Sequence, residues 1–255
     1  MTGLFSGALL SCSGIGQPAD SNGHNLWFHS LIGDEPFRFV IEESPSTLSV
    51  LANELSQNWK QKEPVIVKFN DHQKLLANDG YTLYWLHDTV WVQANTPIGA
   101  LYGVYDLIRR QETGNLPKHV KDMVQFTEVP AYDYRVLNHW DNPNLTVERG
   151  FAGRSLWKWD ELPDKIRPEY EEYARANASI GINGTVLNNV NADPCMLTRE
   201  YLLKVKALAD LFRPYGIHVF LSVNFAAPKH LSNLGTSDPL NKDVRVWWNE
   251  KAKEI

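Results

Sequence analysis

The sequence predicts an α/β chain in two parts: an α+β domain over residues 26–130, and the first three β/α units of a TIM barrel, incomplete, over residues 131–255. Three observations carry this expectation. Apolar and polar residues alternate through YTLYWLHD and on through TVWVQAN, the pattern of a half-buried antiparallel hairpin. After Pro130 the periodicities run strand, helix, strand, helix, strand, helix, an order that needs crossovers between parallel strands. The segment IHVFLSVNF is almost wholly apolar, as a strand covered on both faces must be.

Taken in order, residues 1–25 stand apart as a leader. Met1 to Ser13 ends in Leu9-Leu10-Ser11-Cys12, which resembles a bacterial lipoprotein signal whose cysteine is acylated, although the usual basic start is missing. The expectation is an exported protein, periplasmic or extracellular and lipid-anchored through Cys12; a cytoplasmic chain with an unstructured leader is the alternative. LWFH (26–29) and FRFVIE (37–42) read as strands. From Ser46 to Trp59, Leu48, Leu51, Leu55 and Trp59 recur at spacings of three and four, one face of a helix that Ser46 or Thr47 caps. VIVKF (65–69) is a β-branched strand. Gly80 opens the hairpin, whose tight turn is expected at Asp88-Thr89. Thr96-Pro97 then begins a helix from Ile98 to Arg110, and Gly99, Ala100 and Gly103 let it lie close on a mostly antiparallel sheet.

Val129-Pro130 marks the boundary. Tyr134 to Asn138 is a short strand. Ile166 to Ile180 is a helix with Tyr170, Tyr173, Ala174, Asn177 and Ala178 near one face, and Gly181 stops it, since glycine tolerates the left-handed conformation there. GTVLNN is the next strand. Thr198 to Tyr215 is a helix with Leu202, Val205, Leu208, Ala209 and Phe212 on its inner face, followed by Gly216 and the apolar strand. A last helix begins near Val244 and still runs at Ile255. Residues 131–255 are about half of the roughly 250 that a full barrel takes, so a truncated barrel is expected. A complete small α/β domain is the alternative.

Composition excludes several functions. Lys plus Arg total 25 against 30 Asp plus Glu, a net charge of −5 without a basic run, so nucleic acid is not an expected partner. No stretch approaches the roughly 20 apolar residues of a membrane span. Two cysteines, Cys12 and Cys195, are too few for a disulfide scaffold, and neither CxxC nor HExxH occurs, so the reading calls for no metal and no cofactor. The surplus is aromatic, with 9 Trp, 10 Tyr and 10 Phe. Such side chains fill cores, and they also grip the apolar faces of sugar rings.

Parallel barrels place their sites at the C-terminal ends of the strands. That rule selects three loops: Asn138-His139-Trp140-Asp141-Asn142 with the following VERGFAGRSLWKWDELP, then Asn188 to Asp193, then Asn224 to Pro228. Amides donate and accept at once, as a ring of sugar hydroxyls requires. No Gly-rich phosphate loop follows a strand. Each residue has a plainer reading as well. Trp140, Trp157 and Trp159 can plug the barrel mouth, His139 can be a hydrogen-bonded structural histidine, and Asn188 and Asn189 can cap a turn. Arg149 and Arg154 can pair with Glu148 or Asp160, or either can grip a substrate carboxylate through its planar fork. Asp141, Glu148, Asp160 and Glu161 show no spacing suited to acid–base work.

The stretch GYTLYWLHDTVWVQANTPIGALYGVYDLIR resembles the small domain that precedes the barrel in hexosaminidases and α-glucuronidases, over about residues 45–113. YRVLNHWDNPNLTVERGFAGRSLWKWDELP and YARANASIGINGTVLNNVNA resemble the barrel opening of the α-glucuronidases of glycoside hydrolase family 67, and with the first region the similarity runs from about residue 26. That resemblance implies a hydrolase of xylan degradation. It would release glucuronic acid, or its 4-O-methyl form, from an α-1,2 linkage to the terminal non-reducing xylose of a xylo-oligosaccharide, with inversion. Inversion needs two carboxyl groups about 6.5–9.5 Å apart. In the family these follow the fourth and later barrel strands, so the catalytic residues are expected beyond Ile255 and this chain alone is expected to be inactive. The resemblance gives Trp159 the stacking on the uronic acid, with Trp157 as the competing choice. His139, Arg154, Asn189 and Asn191 carry over as site-lining residues. It also allows a homodimer of the full-length protein. The alternatives are a non-catalytic carbohydrate-binding protein and a hexosaminidase-like glycosidase, whose Asp-Glu acid pair directly after a barrel strand is not seen.

Overall fold

A computed structural model describes residues 45–69, 79–117, 123–148 and 153–255. The leader with Cys12, the strands expected at 26–29 and 37–42, and Arg149 lie outside the described residues. Two compact units result, one comprising residues up to Asp133 with Ser179–Gly181, the other Tyr134–Ala178 with Ile182–Ile255.

In the first unit, helix α1 (Pro45–Asn58) buries Leu48, Leu51 and Leu55, and Trp59 just beyond it donates its indole N–H to Glu63 O at 2.9 Å. Strands β1 (Val65–Phe69), β2 (Tyr81–Leu86), β3 (Thr89–Ala94) and β4 (Val124–Glu128) form one sheet in the order β1-β3-β2-β4. The β1–β3 pair is parallel and the other two pairs are antiparallel. Thr89 pairs with Leu86, so the hairpin turn is His87-Asp88, one residue earlier than Asp88-Thr89, with His87 in the left-handed region at φ 54°. Helix α2 (Pro97–Glu112) is capped by Thr96, whose hydroxyl accepts from Gly99 N, and Pro97 loses nothing there because a first-turn N–H has no helical partner. A Cβ on Gly103 would fall 2.7 Å from Val92 Cγ1, which explains a glycine inside the helix where it crosses β3. The two helices pack together, joined by Tyr105 O–H to Glu54 Oε1 at 3.2 Å.

The second unit alternates as the sequence predicts: β5 (Val136–Asn138), α3 (Pro168–Ser179), β6 (Gly184–Val186), α4 (Arg199–Phe212), β7 (His218–Phe220), a short α5 (Ala227–Leu231) and α6 (Lys242–Glu254). The strands pair in the order β5-β6-β7, all parallel. Gly181 at φ 78° and Gly216 at φ 73° lie just beyond α3 and α4, and Asn241 caps α6 by accepting from Asp243 N and Val244 N. One expectation fails here. The segment 217–225 is a strand only over His218–Phe220, and it is not covered on both faces: His218 is exposed and Phe220 is 37% exposed. Val136 and Phe220 close over Gly184, where a Cβ would lie 2.8 Å from Val136 Cγ2, and both stay 37% exposed. Among the described residues the sheet is open and no closed barrel is formed. The covered side holds the core, with Trp157, Tyr170, Leu187, Phe212 and Ile217 buried.

Candidate carbohydrate site at the strand ends

Three short parallel strands end side by side, and their three exit loops are tied to one another by backbone and amide groups. His139 N donates to Val186 O at 3.0 Å, Asn189 N to Asp141 O at 3.1 Å, and Leu187 N to Phe220 O at 3.1 Å. Asn188 bridges to the β7 exit, donating from Nδ2 to Ser222 O at 3.0 Å and accepting from Ser222 N at 2.9 Å. Asn224 returns the tie, donating to Ala192 O at 2.9 Å. Asn189 donates to Asn142 Oδ1 and accepts from Asn191 N. Asn188 and Asn189 are buried, so these amides hold the rim together. Asn191 is exposed, and its amide reaches Glu148 Oε1 at 3.5 Å.

The β5 exit carries a buried polar string. Asp141 is 5% exposed. Its Oδ2 accepts from Ser155 Oγ at 2.6 Å and from Leu156 N at 2.8 Å, and its Oδ1 stands 3.9 Å from His139 Nδ1. His139 Nε2 meets the Tyr173 hydroxyl at 2.8 Å, and that hydroxyl meets Thr185 Oγ1 at 2.9 Å. Burial lowers the His139 pKa below the usual imidazole value, while Asp141 pulls the other way. Ser, His and Asp are thus neighbours without forming a nucleophilic triad: the serine hydroxyl donates to the carboxylate, and the imidazole is occupied by Tyr173.

Trp157 and Trp159 are both packed. Trp157 is 0% exposed, with the rings of His139, Tyr170, Tyr173 and Phe212 at centroid distances of 5.2–5.8 Å. Trp159 is 1% exposed and lies 5.9 Å from the Tyr201 ring. A sugar has no open indole face to stack on at either position. In this chain the Trp159 ring is packed against Tyr201, and the stacking on the uronic acid that the resemblance implies for it is a proposal for the complete site. Both indole N–H groups lack an acceptor among the described residues. Arg154, by contrast, is exposed, and among the described residues it forms no ion pair with Glu148, Asp160 or any other carboxylate. Glu161 is taken by Arg167, which donates to both of its oxygens and, with Lys165, holds its pKa down to about 2. Among the described residues no three His, Cys, Asp or Glu side chains cluster as a metal site, and no helix is long and apolar enough to cross a membrane.

The strand-end rule located these loops. It could not show that Asp141 ties one of them, because the aspartate and the serine that completes the tie stand fourteen positions apart.

Comparison with known proteins adds independent information. A model of the glycosyl hydrolase family 67 middle domain matches residues 116–255. Alpha-glucuronidase A of Emericella nidulans is 38% identical over 185 residues, covering 71% of this chain and 21% of that protein. Alpha-glucuronidase A of Aspergillus tubingensis is 38% identical over 247 residues, covering 96% of this chain and 28% of that protein. The chain thus spans 21–28% of the length of these two relatives. Among solved structures, a GH138 enzyme targeting pectin rhamnogalacturonan II is similar at a TM-score of 0.53 and 12% identity, covering 82% of this chain and 28% of that one. A GH115 4-O-methyl-alpha-glucuronidase with specificity for decorated arabinogalactans is similar at 0.50 and 15% identity, covering 82% of this chain and 32% of that one. At such identities the two structures speak for the fold alone.

Proposed function

Since the chain belongs to glycosyl hydrolase family 67, we propose that it supplies the opening β/α units of an α-glucuronidase barrel and, at their strand ends, part of the sugar-binding rim. The proposed substrate is a xylo-oligosaccharide carrying glucuronic acid on its terminal xylose. The general acid and base are assigned to segments outside these 255 residues. Two sources support the reading. One is the family match with its curated α-glucuronidase relatives. The other is a single structural observation: among the described residues of the rim, the Arg154 guanidinium is exposed and without a carboxylate partner.

That observation bears on substrate charge. A uronic acid differs from a neutral pyranose by a carboxylate, and a desolvated carboxylate needs a cation or strong donors. Arg offers two parallel N–H groups that match the two carboxylate oxygens. On this reading Arg154 meets the carboxylate, and Asn191 with its neighbouring backbone meets the hydroxyls. Titrating D-glucuronate and xylose into wild type and Arg154→Ala tests it. Glucuronate affinity should fall about tenfold, near 1.4 kcal/mol, with xylose unchanged. Equal loss for both sugars together with a lower melting temperature would assign Arg154 to holding its loop.

A further inference from the structure

We propose that Asp141 is a positioning residue: it clamps the turn that carries Arg154 and so sets the preference of the rim for an anionic over a neutral sugar. The proposal rests on the assignment of Arg154 to the carboxylate and adds what holds that arginine in place.

Every polar group of Ser155, the residue next to Arg154, is engaged. Its N–H donates to Leu145 O at 2.9 Å and its hydroxyl to Asp141 Oδ2 at 2.6 Å. The Ser155 Oγ itself accepts from Trp157 N at 3.2 Å, and the Ser155 carbonyl accepts from Lys158 Nζ at 3.3 Å. Asp141 Oδ2 also takes Leu156 N at 2.8 Å, so one carboxylate oxygen fixes two consecutive residues. Asp141 is anchored in turn: its carbonyl accepts from Asn189 N, and it bridges to Val147 in antiparallel fashion. The result is a rigid main chain immediately beside a free guanidinium.

Burying a carboxylate is unfavourable unless its lone pairs are taken up. No described lysine or arginine pairs with Asp141, whose Oδ2 donors are a hydroxyl and a backbone N–H. A buried charge held by neutral donors contributes geometry, because each donor has one direction in which it can satisfy the oxygen. Holding the main chain at Ser155 and Leu156 removes backbone freedom that an arginine on a loose loop would lose on binding. The gain goes to the ligand that Arg154 contacts. A neutral sugar bound by hydroxyl contacts elsewhere on the rim does not share it, so the clamp acts on selectivity.

The test uses the full 255-residue chain, with D-glucuronate and xylose as probes in NMR titrations. Asp141→Asn keeps the shape of the side chain, Ser155→Ala removes the hydroxyl tie, and Ser155→Thr restores a hydroxyl. In Asp141→Asn and Ser155→Ala, the ratio of glucuronate to xylose affinity should drop at least fivefold. Exchange of the Leu156 amide should quicken about tenfold, and the Arg154 Nε–Hε relaxation should show greater mobility. Ser155→Thr should recover the ratio. If Asp141→Asn does not fold, Ser155→Ala with its threonine rescue decides alone. An unchanged affinity ratio, with the Leu156 amide nevertheless freed, would overturn the positioning role and leave the Arg154 assignment standing. If Arg154→Ala leaves glucuronate binding intact, the carboxylate assignment fails, and the clamp is then judged by Arg154 Nε–Hε mobility: no change in Asp141→Asn overturns it too.

Discussion

Replacing Trp157 by alanine separates the two roles open to an aromatic residue in these loops. The ring is 0% exposed and is surrounded by His139, Tyr170, Tyr173 and Phe212. Large-to-small substitution at a fully buried tryptophan costs about 3–5 kcal/mol. The upper half of that range fits here, because rings from the β5 exit, α3 and α4 cannot all move into one cavity. With a urea dependence of about 2 kcal/mol per molar, the midpoint for this unit should fall by about 2–2.5 M. Trp157→Phe should lose much less. It keeps most of the ring while removing an indole N–H that has no described acceptor, a group costing about 1–3 kcal/mol to bury unpaired. Urea unfolding followed by near- and far-ultraviolet circular dichroism gives both numbers. A Trp157→Ala midpoint within about 0.3 M of wild type, combined with lost glucuronate binding, would show that the ring faces a ligand and that the packing argument is wrong.

Asn188→Ala removes both partners of Ser222 N and O from a buried position; stability should fall by about 2–3 kcal/mol, read as a lower urea midpoint, and an unchanged midpoint would mean that the bridge is dispensable. His139 should titrate below its ordinary value near 6.5, because burial disfavours the charged ring. Its stabilising effect is therefore complete above about pH 6.5 and is lost as the pH falls below that, where the unfolded chain takes the proton first. Ring-proton NMR should place the midpoint below 6.5, and lower again in Asp141→Asn; a midpoint at or above the ordinary value contradicts both statements.

How far the sequence discloses this molecule differs from one feature to the next. The strand Val65–Phe69 and the helices at Pro45–Asn58 and Arg199–Phe212 follow from periodicity, because one face of each must be buried and spacing records which. The turn falls at His87-Asp88, one residue before the expected place, because alternation continues unbroken through a tight hairpin and does not mark its apex. Strand β4 (Val124–Glu128) is not legible in the sequence, since five residues with one large aromatic are a weak pattern until a neighbouring edge, here β2, pairs with them. In the site loops, residue type does not disclose which partners each side chain takes. Asn188, Asn189 and Asn224 look like hydroxyl readers, yet Asn188 and Asn224 donate to backbone carbonyls more than thirty residues away and Asn189 donates to the side chain of Asn142. Trp159 looks like a stacking platform, and its burial depends on Tyr201, which no local pattern connects to it.

The same facts bear on how a rim of this kind recognises anything. Three strands of three residues each have few ladder bonds with which to align their exits. Side-chain amides supply the missing ones, because an amide offers donor and acceptor together and can replace a backbone pair, as Asn188 does opposite Ser222. An amide used in this way is no longer free for a ligand. On the proposed reading, recognition falls to groups the lacing leaves over, and among the described residues of these loops the guanidinium of Arg154 and the exposed side of Asn191 are two of them. Rigidity and selectivity are thereby assigned to different residues of the same loops. Substitutions in the two sets should accordingly be separable, with stability moving for Asn188 and Trp157 and the ratio between charged and neutral sugar moving for Arg154. Asp141 joins the sets, being buried like the first and acting on the second through Ser155.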